Sequence, residues 1–161
     1  MKNNKKRILI IAGGTGGHVF PAYNLYKDLR SKRNHVEIIT DKRGKIFLNK
    51  NDKRKFKTIF SSTINYRNPI KFIFSIIIII MSFLQSLFLI RNKKADLIIG
   101  MGGYTSLPFC MASKVLDVPF VIYENNLLLG KANKFLLPFS KKIFISYKEL
   151  KGIKPKYFDK I

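Results

Sequence analysis

The sequence predicts an α/β fold in which a parallel sheet is doubly wound with helices. Three observations predict it. The runs Ile8–Ala12, Ala95–Gly100 and Pro119–Glu124 are short and rich in β-branched and aliphatic residues, as strands buried on both faces are. Two of them lead straight into glycine loops, Gly13–Gly17 and Gly100–Gly103. Apolar residues at helical spacing follow those loops, so strand, glycine turn, helix and strand recur along the chain.

Taken in order, Ile8–Ala12 is the first strand and Gly13–Gly17 its loop. Pro21 suits the first turn of a helix whose apolar face carries Leu25, Tyr26 and Leu29. Val36–Thr40 is a second strand ended by Asp41, and Lys57–Phe60 is a candidate third. After the strand Ala95–Gly100 and its loop, Ser106–Leu116 reads as a helix, with Pro108 in its first turn and Ser106 a candidate cap. Pro119–Glu124 is another buried strand, Gly130–Leu137 a short helix and Lys142–Ser146 a last strand. On such sheets ligands bind beyond the carboxyl ends of the strands, where both glycine loops fall.

The segment Ile70–Ile90 stands apart. Between Lys71 and Arg91 lie 19 residues without a formal charge, interrupted only by Ser75, Ser82, Gln85 and Ser86. That is near the lower limit for a bilayer span. Three readings compete: a span, a helix lying on the membrane, and an apolar crossover helix of the fold. A span would put the next strand on the far side of the membrane from the first, and the two then could not share a sheet. The sheet reading therefore favours a crossover helix with one face open to lipid.

The 161 residues suit one domain, and their apolar content supports a core. The formal net charge of +22 favours polyanions, whether nucleic acid, an anionic membrane face or phosphorylated substrates, although an AT-rich coding sequence would also enrich Lys, Asn and Ile. No zinc-finger spacing or RNP-like signature accompanies the charge, so nucleic acid is not the expected partner. Cys110 is the only cysteine, which rules out an internal disulfide or a Cys-based metal site and suits a core position. The basic stretch Met1–Arg7 precedes an apolar run too short for a signal peptide, so the start is expected to be cytoplasmic.

Three motifs carry chemistry. Gly13-Gly14-Thr15-Gly16-Gly17-His18 joins the first strand to a helix; its glycines admit an anion close to backbone N–H groups. The Lys-Ser/Thr pair of a Walker loop is missing, and the dinucleotide fingerprint is out of register. His18 at the helix mouth suits proton removal from a hydroxyl, or a diphosphate contact. Gly100-Met101-Gly102-Gly103-Tyr104-Thr105-Ser106 repeats the device. Tyr123-Glu124-Asn125-Asn126, with Gly130 and Asn133 beyond, places a polar cluster at a strand end, where it could bind a sugar or simply make an Asn-rich turn capped by Asn126.

Together, in this order and spacing, the stretches 11–22, 100–108 and 124–133 resemble the MurG-type glycosyltransferases of family 28, over most of the chain from about Lys6 to about Ser146. The resemblance implies the N-terminal half of a GT-B fold, two Rossmann-like domains with the active site between them. It implies transfer of N-acetylglucosamine from UDP-GlcNAc, with inversion, to the muramoyl sugar of lipid I, giving lipid II for peptidoglycan. No cofactor or metal is implied. Thr15, Gly16 and Gly17 match the loop at the donor sugar and diphosphate, and Asn126 a donor-contacting asparagine. His18 matches a histidine proposed for catalysis or for the acceptor diphosphate, and Glu124 an acidic residue of the cleft, so both are candidate catalytic residues. Gly102, Gly103, Tyr104 and Ser106 match the acceptor-facing loop, and Asn133 is a candidate substrate contact.

The resemblance also implies peripheral association with the cytoplasmic face of the bacterial inner membrane. Phe72–Ile90, with Lys71, Arg91, Lys93 and Lys94, would supply the apolar patch and its basic rim. The family's usual His-Glu-Gln-Asn is here Tyr123-Glu124-Asn125-Asn126. The C-terminal donor-binding domain of the family has no counterpart in these 161 residues. It is expected in cis, this chain being a fragment, or as a separate chain, this one then being a membrane-anchored, non-catalytic subunit.

Overall fold

A computed structural model describes residues 5–48, 56–61 and 68–161. In chain order the elements are Arg7–Ile11 (β1), Gly16–Ser31 (α1), His35–Thr40 (β2), Lys57–Thr58 (β3), Pro69–Lys93 (α2), Leu97–Gly100 (β4), Gly103–Val115 (α3), Phe120–Glu124 (β5), Lys131–Leu136 (α4) and Ile143–Ile145 (β6). The described strands form one parallel sheet in the order β3-β2-β1-β4-β5-β6. The reversal from leftward to rightward growth falls between β1 and β4, so the crevice for a ligand opens above those two strands.

Alternation along the strands splits the core in two. Leu9, Ile11, Ile98, Phe120, Ile122 and Ile143 pack on one face with Ile90 of α2, Phe109 and Cys110 of α3 and Leu136 of α4. Ile8, Ile10, Val36, Ile38 and Ile99 pack on the other with Val19 and Ala22 of α1. Right-handed crossovers dictate this division, because chain growth toward β6 places α2, α3 and α4 on the same side. Beyond β4 the described residues cover the α1 face of the sheet only in part: Val121 and Tyr123 are half-buried and Phe144 is exposed, and with Leu25, Leu29 and Ile99 they line an apolar cleft of about 840 Å³. Cys110 is wholly buried, as expected of a core cysteine, and burial pushes its thiol up.

Several boundaries differ from the sequence expectation. Both glycine loops are shorter than expected, since Gly16 and Gly17 already belong to α1 and α3 begins at Gly103. Pro21 and Pro108 therefore lie inside their helices, beyond the first turn. A proline at position 21 offers no N–H to the carbonyl four residues earlier; the Asn125 side chain donates to that Gly17 carbonyl at 3.2 Å instead. The cap of α3 is Gly102 rather than Ser106, and α4 is preceded by Gly130, so Asn126 caps no helix. β3 covers only Lys57–Thr58 of the expected Lys57–Phe60.

The crossover helix α2 is 25 residues long, or about 37 Å. Asn68 accepts from the Lys71 backbone N–H at 3.0 Å and caps it, and Lys94 ends it in the left-handed region at φ 47°. Because it connects β3 to β4 in one sheet, a bilayer crossing between them is ruled out, as the sheet reading required. Ser75, Ser82, Ser86 and Ile90 are the buried positions, while Phe74, Ile77, Ile80, Leu84 and Phe88 are exposed. Three serines thus face the protein together with Ile90, Phe83, Leu87 and Leu89, while a second set of large apolar side chains faces outward and forms an exposed apolar surface. The basic rim is smaller than expected, because Lys93 is engaged by Glu37 at 2.6 Å at the opposite, amino-terminal edge of the sheet.

Candidate active site

The carboxyl ends of β1, β4 and β5 bring the three motifs together. A pocket of about 260 Å³ is lined by His18, Gly102, Gly103, Tyr104, Glu124, Asn126 and Asn133, with Gly130, Lys131 and Ala132 completing it. Residues 18, 102 and 124 are far apart in sequence, and parallel pairing of neighbouring strands is what places their ends side by side.

His18 sits in the first turn of α1 and leans over the second loop. Its Nδ1 lies 3.1 Å from the Thr15 hydroxyl oxygen. A Cβ added at Gly102 would come within 3.1 Å of His18 Nε2 and 3.4 Å of the Asn133 amide nitrogen, so the bare glycine keeps the space between them open. Gly102 has φ +87° and ψ −177°, a backbone state that is essentially glycine's alone. Burial lowers the proton affinity of His18 below the ordinary value, with the Glu124 charge and a hydrogen bond to the Gly13 backbone pulling the other way. The lowered proton affinity favours the neutral imidazole; Nδ1 stands beside the Thr15 hydroxyl and Nε2 beside Gly102 on the pocket wall.

Glu124 is the last residue of β5 and only 2% exposed. Its Oε1 accepts from the Asn126 backbone N–H at 3.1 Å and the Asn126 side chain at 2.8 Å. Its Oε2 accepts from the Gly130 N–H and the Asn133 side chain, both at 2.9 Å. Four donors fill an ionised carboxylate. Glu124 holds Asn126, Gly130 and Asn133 in place, and its geometry suits that task better than taking a proton. Asn133 also donates to the Tyr123 carbonyl at 3.0 Å.

Other expected site residues divide. Thr15, Gly16 and Gly17 form the first turn of the crevice, where the opening N–H groups of α1 have no intrahelical acceptor. A Cβ at Gly16 would meet the exposed Phe20 and Phe47 rings, at 2.9 and 3.3 Å. Gly103 and Tyr104 border the pocket. Ser106 lies beneath it, fully buried, donating to Gly102 and Ile11 carbonyls at 2.7 and 3.1 Å, and so ties the second loop to the first strand. Sequence reading passed over Arg43, took Asp41 for no more than a strand end and gave Thr105 no role beyond its place in the second loop motif. Nothing in spacing places Asp41 under both loops.

Known proteins share this sequence pattern and fold. The model of the glycosyltransferase family 28 N-terminal domain matches residues 8–145. The chain belongs to that family. A Pelagibacter ubique UDP-N-acetylglucosamine--N-acetylmuramyl-(pentapeptide) pyrophosphoryl-undecaprenol N-acetylglucosamine transferase is 39% identical over 97% of this chain and 43% of its own length. The Rickettsia typhi protein of the same name is 40% identical over 92% of this chain and 37% of its own. Among solved structures, Acinetobacter baumannii MurG superposes with a TM-score of 0.74 at 24% identity, over 92% of this chain and 44% of that one. Staphylococcus aureus MnaA with UDP gives a TM-score of 0.62 at 18% identity, over 87% of this chain and 37% of that one. The 161 residues thus span about two-fifths of the relatives they match.

Proposed function

We propose that this chain is the acceptor-facing and membrane-facing half of an inverting N-acetylglucosaminyltransferase that acts on a lipid-linked muramoyl sugar, with UDP-GlcNAc as donor. The observation that carries the reading is the pocket in which His18 Nε2, Asn126 and Asn133 converge between two glycine loops, in a family 28 domain. In this reaction the acceptor hydroxyl oxygen bonds to the anomeric carbon from the face opposite UDP. The anomeric carbon–oxygen bond to UDP breaks, and its electron pair leaves with the diphosphate. His18 Nε2 takes the hydroxyl proton as the new bond forms. Its neutral state makes it a competent base near pH 7. Asn126, held rigid by Glu124, orients a sugar, while Thr15, Gly16 and Gly17 present N–H groups to phosphate oxygens.

The membrane reading rests on α2. Its start, Pro69, lies on the crevice side, because a crossover helix descends from the carboxyl edge of the sheet to the amino edge of the next strand. Gln85 of α2 accepts from the Phe60 N–H at 3.3 Å, and Ser61 bonds Thr105 at 3.1 Å, tying that side to the second loop. A lipid tail leaving the crevice would therefore run onto the exposed apolar face of α2. The site faces the cytoplasm from one leaflet.

The test is reconstitution. The chain is fused to the C-terminal portion of the Pelagibacter relative and supplied with UDP-GlcNAc and a lipid I analogue. Production of the N-acetylglucosaminyl product, lost on His18→Ala, supports the reading. Transfer by residues 1–161 alone, or a fully active His18→Ala fusion, sinks it.

A further inference from the structure

Among the described residues, a second buried carboxylate lies across the crevice from Glu124. Asp41 follows β2 directly and is 2% exposed. Its Oδ1 accepts from the Gly14 N–H at 3.1 Å and the Gly44 N–H at 2.7 Å. Its Oδ2 accepts from the Thr105 hydroxyl at 3.2 Å and from Arg43 Nε and Nη2 at 3.2 and 2.8 Å. Burial alone would push the Asp41 carboxyl up, but the Gly44 and Gly14 N–H groups and Arg43 outweigh it and hold the carboxyl below its ordinary value.

One ionised group thus joins three elements. Gly14 belongs to the first glycine loop, Thr105 to the first turn of α3, and Arg43 and Gly44 to the turn after β2. The fit at the centre is close, since a Cβ at Gly13 would collide with the Thr105 side chain. The burial of the ion pair is asymmetric. The Asp41 side chain is 3% exposed and that of Arg43 46%, so an approaching ligand meets the cation. Of the five N–H donors of a guanidinium, two are spent on Asp41, leaving three for another acceptor. The Arg43 head lies across the bare face of Gly14, 3.6 Å from where a Cβ would stand, and Gly14 at φ +85° is a position that favours glycine. The Gly14 N–H is spent on Asp41, so an anion resting against Gly14 needs a donor beyond the Thr15, Gly16 and Gly17 N–H groups of this loop.

We infer that Arg43 is that donor, a phosphate-binding residue at the first glycine loop, and that Asp41 is the positioning residue that aims it and locks the two glycine loops together. The ligand class is a diphosphate ester, for which a planar fork of N–H groups is well matched. This rests on the function proposed above. Both substrates of that reaction carry a diphosphate, and the assay separates them.

The 161-residue chain is titrated calorimetrically, at fixed salt, with geranyl diphosphate in one arm and UDP-GlcNAc in the other. Arg43→Ala should weaken at least one arm by about tenfold or more, the loss expected for charge-assisted hydrogen bonds. The arm affected identifies the substrate. Lys42→Ala, which removes the same charge one residue away, should leave both arms unchanged. Asp41→Asn should weaken the same arm, and the double variant should bind no worse than the weaker single one, because Asp41 acts through Arg43. Unchanged binding by Arg43→Ala overturns the inference while leaving the proposed function standing. Equal losses from Lys42→Ala and Arg43→Ala also overturn it, since bulk charge would then explain binding. Additive losses in the double variant overturn the positioning role of Asp41. Failure of the unsubstituted chain to bind either probe overturns the diphosphate reading of the loop itself.

Discussion

Glu124→Gln is the substitution that most sharply separates a positioning carboxylate from a proton acceptor. The carboxylate receives four hydrogen bonds, two on each oxygen. Glutamine keeps one carbonyl oxygen, which can serve either the Asn126 pair or the Gly130 and Asn133 pair. Its amide group then points donors at donors on the other side. Two bonds to a charged acceptor are lost, each contributing roughly 1.5–3 kcal/mol, and the surviving pair is weakened by the loss of charge. Relaxation of Asn126 toward solvent recovers part of this, so a net loss of about 2–5 kcal/mol is expected. For a chain of this size that corresponds to a fall in Tm of roughly 5–15 °C. Urea and thermal unfolding of the 161-residue chain measure it. The same substitution removes the negative charge that raises the proton affinity of His18, so that affinity should fall further below the ordinary value. With His18 and His35 the only histidines, an NMR titration resolves the shift. A stability change under about 0.5 kcal/mol, the range of ordinary surface substitutions, together with an unmoved His18 titration, would refute the hub reasoning.

Gly102→Ala should cost about 1–3 kcal/mol in urea unfolding for the backbone state alone, and its methyl should also obstruct the space between His18 and Asn133. In the fused enzyme, His18→Ala should lower kcat by roughly 10²–10⁴-fold with little change in KM for the donor; a KM effect with kcat preserved would make His18 a binding group. The lowered proton affinity of Asp41 means that the unfolded chain binds more protons as pH falls through and below the ordinary carboxylate value, so folding stability should decline there. Asp41→Asn should flatten that part of the pH profile, and an unchanged slope would dismiss the Asp41 contribution. Association with vesicles should rise with anionic lipid and weaken with salt, at roughly 1 kcal/mol per basic residue near the surface. Ile77, Ile80 and Leu84 are all exposed on α2, so replacing them with Ser should reduce binding without lowering Tm; unchanged binding would remove α2 as the contact.

The sequence by itself determined the fold class, the strands near the centre of the sheet and the glycine loops, because these depend on local signals. A buried parallel strand is a continuous apolar run, and a loop that brings backbone close to an anion needs glycine. The topological argument that α2 joins two strands of one sheet was likewise available from chain order alone, and it favoured a crossover helix over a bilayer crossing. Helix starts were misplaced for a physical reason. Pro21 signals a first turn only if the carbonyl four residues back has no other donor, and Asn125, over a hundred residues from Gly17, supplies one.

What only the tertiary structure decided is which polar groups are already spent. Ser106 looked like a cap and a ligand contact, yet its hydroxyl is buried against Ile11 and Gly102 carbonyls. Glu124 looked catalytic, yet four donors reach it from residues up to nine positions away. Asp41 carried no motif at all, and its importance comes from Gly14 and Thr105, brought to it by the pairing of β1 with β2 and with β4. Likewise the serines of α2 interrupt an apolar run in the sequence, and only packing shows that they face inward while Phe74, Ile77, Ile80, Leu84 and Phe88 face out. Apolar periodicity reports which residues can be buried. The saturation of a hydrogen-bonding group depends on neighbours that the fold brings up, from the following turn for Glu124 and from other strand ends for Asp41 and Ser106, and those contacts exist only once the chain has folded.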